Sequence, residues 1–174
     1  MRVKIAGFGG QGILFAGKFL AYIALYNGKE VSWLPAYGPE MRGGTANCSV
    51  VFDDAPIASP LIDEADVIVV MNGPSMEKFA PIVAPGGLIF SDETLVQVGC
   101  GRDDVELITI PATGLADKHG FRGLANMVMM GKLVARLALC GPDVLEAAMR
   151  QCIPERKADM FEANMKALKL GMEY

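Results

Sequence analysis

The stretch MRVKIAGFGGQGILFAGKFLAYIALY, residues 1–26, decides the fold. Met1–Ala6 is a short apolar run that stops at glycines, and it reads as a buried strand. Gln11–Tyr26 reads as a helix. Its apolar residues fall on nearly every side, so both of its faces are expected to be covered. Asn27-Gly28 supplies the stop, because glycine readily takes the left-handed conformation that closes a helix. Between strand and helix lies Gly7-Phe8-Gly9-Gly10-Gln11-Gly12. Gly7, Gly9 and Gly12 fit the spacing G-x-G-x-x-G in the place where it has mechanical meaning, after a strand and at a helix start. Glycines there permit a tight turn and close approach of another molecule to the backbone. The helix N-terminus adds free N–H groups and a positive potential, which together suit a phosphate. The competing reading is a glycine turn that serves only helix–strand packing.

Working outward, Val31–Pro35 reads as a second strand, Tyr37–Gly44 as a loop and Thr45–Phe52 as a β-branched third strand. Ala65–Met71 (ADVIVVM) is the clearest buried strand. Asn72-Gly73-Pro74 reads as a turn and Ser75–Ile82 as a short helix. Leu88–Ser91 and Glu106–Ile110 read as further strands, and Leu124–Leu139, Pro142–Gln151 and Glu155–Leu170 as helices. Strands alternating with helices imply an α/β domain with a mostly parallel sheet covered by helices on both faces. The expectation is one Rossmann-like domain over residues 1–174, ending in a helical C-terminal segment.

The dinucleotide reading of the first motif meets one obstacle. It requires an acid at the end of the second strand to hold a ribose hydroxyl. That strand ends at Leu34-Pro35-Ala36-Tyr37, and Glu30 lies at its opposite end. The turn therefore suits a phosphate or pyrophosphate better than NAD. A second motif follows the second strand: Tyr37-Gly38-Pro39-Glu40-Met41-Arg42-Gly43-Gly44. Ligands of open α/β sheets gather outside the carboxyl ends of strands, so the two motifs are expected on one rim. A glycine-rich loop can aim Arg42 as a forked donor at a phosphate or carboxylate, with Glu40 orienting it. The alternative is a structural turn with a surface ion pair, which contributes little.

Composition narrows the partners. The chain has 174 residues, 52% of them hydrophobic and 21% charged. Typical soluble domains lie near 45–50% and about 25%, so either the core is large or a partner covers part of the surface. The net charge of -4, with no basic cluster, argues against nucleic acid. Cys48, Cys100, Cys140 and Cys152 are scattered, without a CxxC pair. That spacing supplies neither an iron–sulfur run nor a zinc site, and reduced buried thiols in a cytoplasmic protein are expected. The apolar segment Ile13–Tyr26 carries Lys18 and is shorter than the roughly 20 residues of a membrane span.

The two glycine motifs taken together, GFGGQG and AYGPEMRGGTANC, resemble the gamma subunit of 2-oxoacid:ferredoxin oxidoreductases. The resemblance covers most of the chain, and Asn126, Gly131, Asn164, Ala167 and Gly171 also look like that family's pattern. It implies a helper subunit of an enzyme that oxidatively decarboxylates a 2-oxoacid, forms an acyl-CoA and passes electrons to ferredoxin. It further implies alpha, beta and, where present, delta partner subunits, with thiamine diphosphate and iron–sulfur clusters bound by those partners. On the same resemblance this chain covers the active centre and helps receive coenzyme A. The implied contacts are Gly7, Gly9, Gly10, Gln11 and Gly12 from the first motif, with Tyr37, Gly38, Glu40, Arg42, Gly43 and Gly44 from the second. No catalytic residue and no metal ligand is expected here, and the wording PEMRGGTANC leans toward 2-oxoglutarate as the oxoacid.

Other residues read plainly. His119 is the only histidine and is expected in a solvated loop. Cys48 is expected to behave as a small buried hydrophobe, and Met127, Met129 and Met130 as core fillers. Asp53-Asp54 and Asp103-Asp104 read as solvated turns. The last helix is expected to bury Ala158, Phe161, Met165 and Leu168, on its own core or on another subunit. Two rival functions remain open: a stand-alone NAD- or flavin-binding enzyme, and a non-catalytic nucleotide-binding module.

Overall fold

The structure is a computed structural model and describes residues 1–36 and 45–174. Six strands form one sheet in the order β2-β3-β1-β4-β5-β6. They are β1 (Arg2–Phe8), β2 (Glu30–Ala36), β3 (Thr45–Asp53), β4 (Ala65–Val70), β5 (Val83–Asp92) and β6 (Glu106–Ile110). β1 pairs in parallel with β4, β4 with β5, and β5 with β6. β3 runs antiparallel to both of its neighbours, β1 and β2. Five strands therefore point one way and β3 alone points the other.

Alternation along the strands sorts the side chains to two faces. On one face Val3 and Ile5 of β1 align with Cys48 and Val50 of β3 and with Val67 and Val69 of β4. They form the larger core with α1 (Ile13–Tyr26), α3 (Ala112–Lys118), α4 (Ala125–Leu137), α5 (Pro142–Cys152) and α6 (Ala158–Glu173). On the other face Ala6, Ile68, Val70 and Ile89 pack with Met76 and Phe79 of α2 (Gly73–Phe79). Helices thus lie on both faces, five against one. α1 sits between the sheet and the outer helices, which explains its apolar residues on nearly every side.

Local signals account for most boundaries. α1 closes with a paired-bond cap: the Gly28 N–H donates to the Leu25 carbonyl and the Lys29 N–H to the Ala24 carbonyl, with Gly28 at φ +73°. Asn72-Gly73-Pro74, expected as a turn, instead opens α2. The Asn72 side chain accepts from the Ser75 N–H at 2.8 Å, and proline sits in the first turn, where its missing N–H costs nothing. Residues 80–82 form a 3-10 turn rather than continuing that helix.

The last helix keeps most of its expected face: Leu168 is buried and Phe161 and Met165 pack half-buried against the core, but Ala158 is exposed, and the fully buried residues Asn164, Ala167 and Gly171 lie to one side of it. The reason is a close crossing with α4. A methyl group at Gly171 would stand 2.7 Å from the Val128 carbonyl carbon, and one at Gly131 would stand 2.9 Å from the Met172 nitrogen. Only glycines let the two backbones meet so closely, so the buried stripe rotates to bring them together. Met127, Met129 and Met130 of α4 are fully buried core fillers.

Candidate functional site

The carboxyl ends of β1, β2, β4 and β5 share one rim, and the glycine turn stands near its middle. Phe8 ends β1 opposite Thr45, and Ala36 ends β2 opposite Asn47. The residues that bracket the second motif are therefore anchored beside the first. Tyr37, Gly38, Glu40, Arg42, Gly43 and Gly44 themselves lie outside the described residues.

The turn is held by named contacts. Gly7 is the last buried residue of β1, and a methyl group there would stand 2.5 Å from the Gln11 side-chain oxygen. That oxygen, Oε1, accepts from the Phe8 N–H at 2.5 Å, while Gln11 Nε2 donates to the Met71 carbonyl at 3.0 Å. Gln11 thus ties the turn to the end of β4. Gly9 is exposed, and Gly10 adopts φ +96° with open space where a side chain would be. Gly12 caps α1 in the left-handed region, at φ +71°.

Electrostatics at this helix start favour an anion. The first N–H groups of a helix have no partner within the helix. Among the described residues no side chain caps α1, and no acid lies in its first turn. The partial positive charge of this terminus is left uncompensated by the helix's own residues. Two open clefts flank the turn. One, of about 170 Å³, runs from Gly10 and Gln11 past Met71 and Leu95 to Thr113. The other, of about 290 Å³, runs from Phe8 along the first turn of α1 to Ala46. Gly10 lines both, so the turn forms a ridge between them.

Two buried polar residues of this rim are not placed at the site by sequence reasoning. Asp92, at the end of β5, is completely buried. Its carboxylate accepts from the Thr113 hydroxyl at 2.5 Å, from the Thr113 N–H and from the Thr94 N–H. It caps α3 from across the rim, favourably placed against the helix dipole. Asn126, near the start of α4, donates from Nδ2 to the Gly12 carbonyl at 3.0 Å. Its sequence signals are its type within an apolar run and its likeness to the family's pattern, and its partner is far away in the chain.

Cys48 lies beneath α1, fully buried, against the Ile13 carbonyl. Burial pushes its thiol up to about 11, partly opposed by the Trp33 indole N–H and by Lys4. Such a thiol stays protonated and unreactive. His119 is exposed at the end of α3, beside the Phe121 ring. Among the described residues no three His, Cys, Asp or Glu side chains gather as a metal site. None of the helices searched among those residues is long and apolar enough to cross a membrane.

A family described as pyruvate ferredoxin/flavodoxin oxidoreductase matches residues 2–174. The ketoisovalerate oxidoreductase subunit VorA of Methanothermobacter thermautotrophicus is 43% identical over 177 residues, covering 100% of this chain and 36% of the relative. The 2-oxoglutarate synthase subunit KorC of Methanocaldococcus jannaschii is 33% identical over 174 residues, covering 98% and 91%. Among solved structures, the gamma subunit of a keto/oxoacid ferredoxin oxidoreductase from Geobacter sulfurreducens PCA superposes with a TM-score of 0.83 at 26% identity, covering 99% of this chain and 96% of that one. The chain thus spans 36% of the VorA relative's length but nearly all of KorC.

Proposed function

This chain belongs to the pyruvate ferredoxin/flavodoxin oxidoreductase family, and from that membership we propose that it works as the gamma part of a 2-oxoacid:ferredoxin oxidoreductase. The assembled enzyme would convert a 2-oxoacid and coenzyme A to an acyl-CoA and carbon dioxide, with the electrons passing to ferredoxin. The observation that carries a role for this chain is the start of α1: a glycine turn on the rim, without a first-turn acid or, among the described residues, a capping side chain. A helix start of that kind suits the phosphates of coenzyme A.

In this reading Gly7, Gly9, Gly10, Gln11 and Gly12 form the backbone cradle. Tyr37, Gly38, Glu40, Arg42, Gly43 and Gly44 are the further contacts of this proposal, with Arg42 as the charged donor. The described residues fit the group, because Gly10 presents bare backbone and Gln11 braces the turn from below. The chain binds and orients coenzyme A and keeps water from the reacting centre. Thiamine diphosphate and the iron–sulfur clusters belong, in this proposal, to alpha and beta partners, since the cysteines here are scattered and three of them, Cys48, Cys140 and Cys152, are held protonated by burial. Four free cysteines fit a cytoplasmic, reducing setting.

For the oxoacid, the relative at 43% identity favours a branched-chain substrate. 2-Oxoglutarate stands second, supported by the matching length of KorC. This reverses the order suggested by the PEMRGGTANC wording. An anaerobic pull-down of the chain from its native cell, followed by a panel of 2-oxoacids, tests the reading. Thiamine- and cluster-binding subunits in the eluate, with coenzyme A-dependent dye reduction, are expected. Arg42→Ala should weaken coenzyme A use by about 1–3 kcal/mol through loss of a charged hydrogen bond. Recovery of a lone chain, or an unchanged coenzyme A dependence, would refute the corresponding claim.

A further inference from the structure

α4 reaches the glycine turn through one side chain. Asn126 is only 4% exposed, and its Nδ2 donates to the Gly12 carbonyl at 3.0 Å. Because that carbonyl can only accept, the amide nitrogen must be the atom that faces it. The same oxygen accepts from the Ala16 N–H at 3.0 Å, in the first bond of the α1 ladder. Gly12 is therefore gripped from two sides, by its own helix and by α4. A methyl group at Gly12 would stand 3.0 Å from Asn126 Cγ, so the carboxamide packs directly against the turn.

The other end of this carboxamide is the informative part. Asn126 Oδ1 is buried and has no hydrogen-bond partner among the described residues. A buried acceptor without a donor is unfavourable, and leucine, of nearly the same shape, would avoid it. Asparagine is thus a poor choice for stability at this position. What it contributes that leucine cannot is the donor to Gly12. The post that carries it is rigid, because α4 is locked against α6 at Gly131 and Gly171.

We propose that Asn126 is a positioning residue, which holds the Gly9–Gly12 backbone in the conformation that receives coenzyme A. The inference rests on the coenzyme A reading given above. Its test uses the assembled complex carrying Asn126→Leu, with Gly10→Ala as a second variant that alters the turn directly. For Asn126→Leu the melting temperature should hold or rise. The KM for coenzyme A should rise about tenfold, as expected for one lost hydrogen bond, with kcat within about twofold. Amide exchange at residues 9–13 should quicken.

A lower melting temperature with an unchanged coenzyme A KM would make Asn126 merely structural and overturn the proposal. If Gly10→Ala raises the KM and Asn126→Leu does not, the site stands and the positioning role falls. If neither variant raises it, the coenzyme A reading of this turn fails, and the inference with it. Should the leucine variant not assemble, Asn126→Ala takes its place, since it loses the donor without adding bulk or charge. A wild-type coenzyme A KM in that variant also overturns the proposal.

Discussion

Glycine does opposite work in two parts of this molecule. On the rim, Gly10 has open space around it and a left-handed backbone, so it is there for direction. At the α4–α6 crossing, Gly131 and Gly171 have helical backbones and no space at all, so they are there for distance. The rim glycine leaves its surface bare. The crossing glycines remove a surface so that two helices become one layer. A sequence motif search treats all of them alike, while their energetic roles separate cleanly.

The largest test of this contrast is Gly171→Ala. A methyl group would collide with the backbone of Val128, which cannot swing aside as a side chain can. Loss of about 3 kcal/mol or more is expected in denaturant unfolding, at the upper end of overpacking effects. A loss below about 1 kcal/mol would show that the crossing yields easily and would break the comparison. Next is Asp92→Ala, which leaves the Thr113 and Thr94 donors unmatched beneath the rim. It should cost about 2–3 kcal/mol and speed amide exchange in α3.

Gly10→Ala is the counterpart on the rim. It meets no neighbour, so only the backbone at φ +96° resists it, by about 1–2 kcal/mol. A loss as large as that of Gly171→Ala would refute the distinction between direction and distance. The smallest effect concerns Cys48, under the rim. Its thiol is raised from 9.0 to about 11 by burial, so the unfolded chain gives up this proton first as pH rises. The contribution is complete below pH 9 and declines as pH passes from 9 toward about 11. Alkylation of native Cys48 at pH 8 should accordingly be far slower than that of the half-buried Cys100, as read by mass spectrometry of the labelled peptides.

The elements that sequence reading recovered are those whose signal is local. Ala65–Val70 ends in the unbroken β-branched run Val67–Val70, and Asn27-Gly28 closes its helix with bonds only a few residues long. What stayed hidden depends on distant parts of the chain. α3 contains Gly114 and takes its cap from Asp92, so nothing within its own seven residues announces a helix. The reversed direction of β3 is equally silent, because an alternating strand reads the same from either end. The glycine turn was legible as a candidate site from its spacing after β1. Its support was not, since the burial of Asn126 and its bond to Gly12 exist only once the helical layer is in place.

That last bond has a bearing on how the protein is born. Gly12 and Asn126 are separated by 114 positions. On a ribosome the first strand and the first helix emerge early, yet the partner of the Gly12 carbonyl is made only when most of the chain has been synthesised. The turn therefore matures late, after α4 has docked. A fragment ending ahead of Ala125 would lack that final adjustment altogether.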